Sequence, residues 1–112
     1  MDRPRIRHIA INAQDREAEA NYYKSVFGLE EKERGPNGTI YLSDGHVGVA
    51  IINVPTQPYG VNHFGFHVES VDTIEERANT TAERNTPGAV GECWIRDGEG
   101  YRVDVSEVSW PI

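Results

Sequence analysis

The sequence predicts an α+β fold made from two tandem copies of a β-α-β-β-β unit. The chain repeats itself: Arg7-His8-Ile9-Ala10-Ile11-Asn12 in the first half is answered by Asn62-His63-Phe64-Gly65-Phe66-His67 in the second, with a histidine at the equivalent place in each. Within each half, segments of strict period-2 alternation flank one segment with helical spacing. At 112 residues the chain is long enough for one domain with a real core, but neither half alone would bury its own sheet. We therefore expect a single domain, with module 1 over about residues 5–54, a linker over 55–61 and module 2 over about 62–108.

In residues 6–12, Ile9 and Ile11 point to one side while His8, Ala10 and Asn12 point to the other, the pattern of a half-buried strand. Asp15 is placed as a helix N-cap, and Arg16 to Phe27 reads as a helix with Tyr22, Tyr23, Val26 and Phe27 as its apolar stripe. Gly28 falls where a left-handed C-cap belongs. Leu29 to Arg34 is a strand that ends at the Gly35-Pro36-Asn37-Gly38 turn. Thr39 to Leu42 and Val47 to Val54 form a hairpin about Ser43-Asp44-Gly45-His46. After a proline- and glycine-bearing linker the order restarts with a strand over His63 to Val68. Asp72 and Glu75 have the spacing of a capping box for a helix to about Asn85, with Ile74, Ala78 and Ala82 as its apolar face, ended by Thr86-Pro87-Gly88. A short strand is expected near Gly88 to Gly91, then a hairpin of Glu92 to Arg96 and Tyr101 to Val108 around Asp97-Gly98-Glu99-Gly100.

Hydrophobic residues at 38% against 26% charged describe a soluble globular chain. The longest apolar runs are strand-sized, which argues against a membrane span, and no apolar stretch follows the basic Met1-Asp2-Arg3-Pro4-Arg5 start as a secretory signal requires. The net charge of −7, with Lys and Arg interleaved among acids, disfavours nucleic acid as a partner. One cysteine, Cys93, excludes an internal disulfide. A cytoplasmic location is the resulting expectation.

Three strands share one design. Each turns apolar residues to one side, and together their other sides carry His8, His63, His67, Arg102 and Asp104, facing a concavity where polar groups must find partners. Two imidazoles and a carboxylate are a ligand set used for catalytic zinc with an open position and for non-haem iron. The repeat equivalence of His8 and His63, with Asp104 on the matching face, favours His8, His63 and Asp104 as ligands of one divalent ion. His67 is a weaker candidate for an acid or base, with cavity lining as the plainer role. Tyr101 is assigned to core packing, His46 to a solvated loop, Trp94 and Trp110 to packing or covering an interface, and Cys93 to a buried thiol.

The chain resembles the vicinal oxygen chelate superfamily, which groups glyoxalase I, extradiol dioxygenases, epimerases, fosfomycin-resistance enzymes and bleomycin-binding proteins. The resemblance runs from about Ile6 to Glu107. Its carriers are Arg7-His8-Ile9-Ala10-Ile11, Asn21-Tyr22-Tyr23-Lys24-Ser25-Val26-Phe27-Gly28-Leu29, Asn62-His63-Phe64-Gly65-Phe66-His67-Val68 and Asp97-Gly98-Glu99-Gly100-Tyr101-Arg102-Val103-Asp104. It implies paired βαβββ modules in an open, curved mixed sheet around a metal or ligand cavity. By the same resemblance His8, His63 and Asp104 fall on three of the family's metal-ligand positions. The fourth falls at or beside Ala50, where glyoxalase I keeps a carboxylate or amide, so this chain departs from that pattern. Three ligands are closer to the extradiol dioxygenase arrangement, with Asp104 in place of a longer glutamate.

Two functions follow as expectations. In the first, a divalent ion (iron, manganese, zinc, nickel or cobalt) chelates vicinal oxygens of a small-molecule substrate for lyase, isomerase or ring-cleaving dioxygenase chemistry. In the second, the same cavity sequesters a small molecule or antibiotic without catalysis, as bleomycin-resistance proteins do. The enzyme reading is preferred, because a sequestering protein has little need of two equivalent histidines and a facing acid. Edge pairing between duplicated modules leads us to expect a homodimer.

Overall fold

The computed structural model describes residues 3–112; Met1 and Asp2, which open the basic N-terminal stretch, lie outside the described residues. Among those described, the elements are β1 (Arg5–Asn12), α1 (Arg16–Phe27), β2 (Glu30–Arg34), β3 (Ile40–Ser43), β4 (Gly48–Ile52), β5 (Gly60–His67), α2 (Val71–Ala78), β6 (Glu83–Arg84), β7 (Cys93–Arg96) and β8 (Arg102–Ser106). The order β-α-β-β-β therefore occurs twice, and the fold is α+β. Two compact units form, one from residues 8–62 with 110–112, the other from the chain up to Arg7 with residues 63–109. The division passes through β1 between Arg7 and His8 and through β5 between Asn62 and His63. None of the described helices is long and apolar enough to cross a membrane.

In the first of these units the strands lie in the order β2-β3-β4-β1, with β1 parallel to β4 and the other pairs antiparallel. Register sets Ile9 and Ile11 beside Val49 and Ile51, and Ile40 and Leu42 opposite Ile51 and Val49. That face is the core: Ile11, Ala20, Ile40, Leu42 and Ile51 are buried, with Ile9, Tyr23, Leu29 and Val49 packed around them. The pleat leaves His8, Ala10 and Asn12 on the other side, with Gly48 beside His8 and Ala50 beside both Ala10 and Tyr41.

Helix α1 begins and ends where its caps require. Asp15 accepts from the Ala18 N–H at 3.1 Å, and Gly28 takes the left-handed conformation with φ of 70°. Its apolar stripe is different from the expected one. Tyr22, Val26 and Phe27 are 53%, 55% and 65% exposed, while Ala20 is the helix residue fully buried against the sheet and Tyr23 packs at its side. A small side chain at the closest approach lets the helix lie near the strands, and the rings beyond it stack on one another, Tyr23 on Phe27 at 6.0 Å.

The second unit has the order β5-β8-β7-β6, with β5 parallel to β8. Its core joins Val68, Val71, Ala82, Cys93 and Val105, with Phe66, Ile74 and Ile95 against them. Here several expectations are corrected. Ser70, not Asp72, caps α2, accepting from the Thr73 N–H at 3.2 Å. The helix stops at Ala78 rather than near Asn85, because Asn79 adopts the left-handed conformation with φ of 53° and Thr80 and Thr81 favour helix poorly. Glu75 does not close a capping box; its carboxylate accepts from the Ala82 N–H at 2.7 Å and pairs with Arg84, and its pKa is lowered by those two contacts in that order. Ala82 thereby turns into the core, and β6 forms at Glu83–Arg84 instead of near Gly88 to Gly91. Strand β8 starts at Arg102, leaving Tyr101 in the turn and 70% exposed, so it does not pack in the core as expected. The reason is local: Asp97 Oδ1 accepts from the N–H groups of both Glu99 and Tyr101 and holds the turn closed one residue further along.

Two contact sets are open to measurement. The buried Asn12 amide donates to the carbonyls of Val54, Gln57 and Pro58 at 2.9, 3.2 and 3.1 Å and accepts from the Val54 N–H at 2.7 Å. Asn12→Ala strands all of them and should lower the unfolding free energy by about 2–3 kcal/mol in urea titrations. On the outer face, hydrogen bonds from Arg34 and then Lys24 hold the Glu31 carboxyl down to about 2. A lowered carboxylate contributes stability above its unfolded value of 4.5 and loses it as pH falls through the folded value. Glu31→Gln should accordingly flatten the acid limb of the stability profile between those two values.

Candidate metal centre

Strands β5 and β8 run parallel with Gly65 beside Asp104 and His67 beside Ser106. Alternation along β5 sends Phe66 to the core and His63, Gly65 and His67 to the opposite face; along β8 it sends Val105 to the core and Arg102 and Asp104 to that same opposite face. Nε2 of His63 consequently lies 3.1 Å from Oδ2 of Asp104, with the two side chains only 8% and 16% exposed. The structure brings together these two of the expected ligands.

A carboxylate this poorly hydrated needs compensation. Arg102 supplies much of it, donating from Nε to Oδ1 at 2.6 Å and from Nη2 to Oδ2 at 3.2 Å. The guanidinium in turn rests on Trp94, with its central carbon 4.3 Å from the ring centroid. Trp94 reaches that position because β7 and β8 pair antiparallel with Trp94 directly opposite Asp104. Strand alternation puts Arg102 on this face, but neither its fork on Asp104 nor the presence of Trp94 follows from alternation. The i, i+2 spacing of Arg102 and Asp104 was the available signal; the β7–β8 register that brings Trp94 in was not visible.

In the other unit His8 is buried at 2% exposure on the face of β1 away from the core. Its imidazole is stacked by Trp110, with centroids 3.8 Å apart and planes 16° from parallel, and Trp110 meets Tyr41 edge-on at 5.3 Å. The small residues Gly48 and Ala50 beside this face leave room for an indole. Stacking covers the face of the His8 ring, whose two nitrogens lie at the ring edge, the direction from which an imidazole binds a metal.

The remaining candidates have plainer settings. His67 Nε2 stands 3.2 Å from the Glu107 carbonyl, a contact to the backbone that ties β5 to the end of β8. His46 is exposed in the β3–β4 turn. Cys93 is a buried thiol donating to the Val105 carbonyl at 3.0 Å, its pKa raised chiefly by burial.

The profile of the Glyoxalase/Bleomycin resistance protein/Dioxygenase superfamily matches residues 5–103. The chain belongs to that superfamily. The matched span stops just before Asp104. Among solved structures, a superfamily member from Vibrio splendidus 12B01 is 18% identical, with 90% of this chain and 95% of that one covered and a TM-score of 0.64. Streptomyces coelicolor methylmalonyl-CoA epimerase bound to 2-nitronate-propionyl-CoA is 20% identical over 96% and 98% of the two chains, TM-score 0.67. The 2,3-dioxygenase LapB from Pseudomonas sp. KL28 is 19% identical over 93% of this chain and 40% of its own, TM-score 0.63. At these identities the likeness is one of fold. No curated protein matches the chain by sequence.

The Trp110 stack is testable by itself. Trp110→Ala should cost about 1–2 kcal/mol of stability and remove the near-ultraviolet dichroism of an indole stacked on an imidazole, whereas an unaltered signal would show that the stack does not persist in solution.

Proposed function

We propose that this glyoxalase-superfamily protein is a metalloprotein in which His8, His63 and Asp104 hold one divalent ion that binds vicinal oxygens of a small-molecule substrate. The observation that carries the reading is the approach of His63 Nε2 to Asp104 Oδ2 at 3.1 Å. Two donors bound side by side to one ion at usual nitrogen and oxygen bond lengths stand about 3.0–3.4 Å apart, so the pair already has the spacing of neighbouring ligands. The donor set adds support: among the described residues, His8, His63 and Asp104 each offer one ligand atom in a group suited to a metal ion. Nitrogen and carboxylate donors suit zinc, iron, manganese, nickel and cobalt.

When bound, such an ion supplies Lewis-acid stabilisation of negative charge developing on substrate oxygen. The chain's own residues prepare for it. Arg102 holds and aims the Asp104 carboxylate, and Trp110 holds the plane of His8. His67, engaged with the Glu107 carbonyl, is oriented by that contact and serves as structure before chemistry. Lyase, isomerase and ring-cleaving reactions all begin from a chelated pair of oxygens. A second reading, sequestration of a planar small molecule without catalysis, draws on Trp110 and Tyr41 lining the same face as His8.

Titration of the chelator-treated protein with Co²⁺ tests the first reading. A visible absorption band is expected on binding, and His8→Ala, His63→Ala and Asp104→Asn should each weaken Co²⁺ binding at least about 100-fold, while His67→Ala leaves it intact. A wild-type protein that takes up no Co²⁺, Zn²⁺ or Fe²⁺ would refute the metal centre and favour sequestration.

A further inference from the structure

We propose that Arg102 is the positioning residue that makes Asp104 a one-oxygen donor, and that it acts from a platform provided by Trp94. The inference rests on the metal reading above and goes beyond it by assigning the coordination mode to a residue that is not itself a ligand.

Arg102 Nε takes Oδ1 of Asp104 at 2.6 Å, a short charge-assisted bond, while its Nη2 stands at the longer 3.2 Å from Oδ2. The fork is therefore lopsided: one oxygen is tightly engaged, and the other is turned toward His63 Nε2 at 3.1 Å. A carboxylate held this way presents one oxygen beside the imidazole and keeps the second on the guanidinium. Left to itself, a carboxylate beside a divalent ion is able to swing and donate both oxygens.

Three features keep the guanidinium from following such a swing. Its side chain is only 27% exposed, its central carbon lies over the Trp94 ring at 4.3 Å, and Trp94 is fixed by its register opposite Asp104 in the β7–β8 pair. Arginine is the residue this task requires. A lysine would supply the same charge from a single mobile point, with neither a fork to hold two oxygens nor a plane to rest on the indole.

The test uses Co²⁺ as the probe, read by visible absorption, with Arg102→Met and Arg102→Lys beside the wild type. Both variants are expected to lose about 10-fold or more in Co²⁺ affinity and to show a weaker, shifted absorption band as Asp104 takes up two-oxygen donation. Trp94→Ala, which removes the platform and leaves the guanidinium in place, should weaken Co²⁺ binding in the same direction by a smaller factor, and a wild-type affinity and spectrum there would remove Trp94 from the proposal. If Arg102→Met does not fold, Arg102→Lys carries the comparison, since it keeps the charge and lacks only the fork. A wild-type spectrum and affinity in Arg102→Lys would overturn the proposal by showing that charge alone suffices. An affinity that rises in both variants would also overturn it, because repulsion between guanidinium and ion would then outweigh positioning. Failure of the wild type to bind Co²⁺ at all would instead remove the metal reading and this inference with it.

Discussion

A carboxylate taken largely out of water must be neutralised where it stands, and Asp104 makes that demand here. The answer organises much of one unit. Parallel pairing of β5 and β8 delivers His63, β8 itself delivers Arg102 two residues away, and antiparallel pairing with β7 brings Trp94 beneath the guanidinium. Each contact depends on the one before it. A register slip of one residue in β8 would send Asp104 into the apolar core and Val103 and Val105 out of it, so the hydrophobic packing that sets the register also places the charges.

The two halves repeat one chain order yet satisfy their polar faces by different physics. Around His63 the means are ionic: a carboxylate, a guanidinium and an imidazole within hydrogen-bond distance of one another in turn. Around His8 they are aromatic and steric, with an indole stacked on the ring and glycine and alanine on the neighbouring strand making space for it. This asymmetry bears on function within a superfamily whose solved relatives include an epimerase and a dioxygenase. Ala50 stands at the place where a further polar donor would have been expected from glyoxalase I, and its methyl group instead lies beside Tyr41, the ring that Trp110 touches.

Much of this was legible before any coordinates. Period-2 alternation assigned the faces of β1, β5 and β8 residue by residue, and Asp15 and Gly28 marked the ends of α1. The misreadings have particular causes. The cap of α2 is Ser70, two residues before the Asp72 that capping-box spacing with Glu75 points to. Glu75 was read as local when its carboxylate reaches forward to Ala82. Tyr22, Val26 and Phe27 have the right spacing for a buried stripe, but hydrophobicity says nothing of how closely a helix lies on its sheet, and at α1 the approach admits only Ala20.

Spacing along single strands and helices is enough to fix the repeat, the element order, the two-sidedness of the strands and the short set of metal-ligand candidates. Tertiary structure alone decided which partners those residues keep. Trp94 under Arg102 comes from the pairing of separate strands, and Trp110 on His8 joins positions almost a full chain length apart. Such contacts are set by how separate elements pack, and local periodicity carries no information about packing between segments so far removed in sequence.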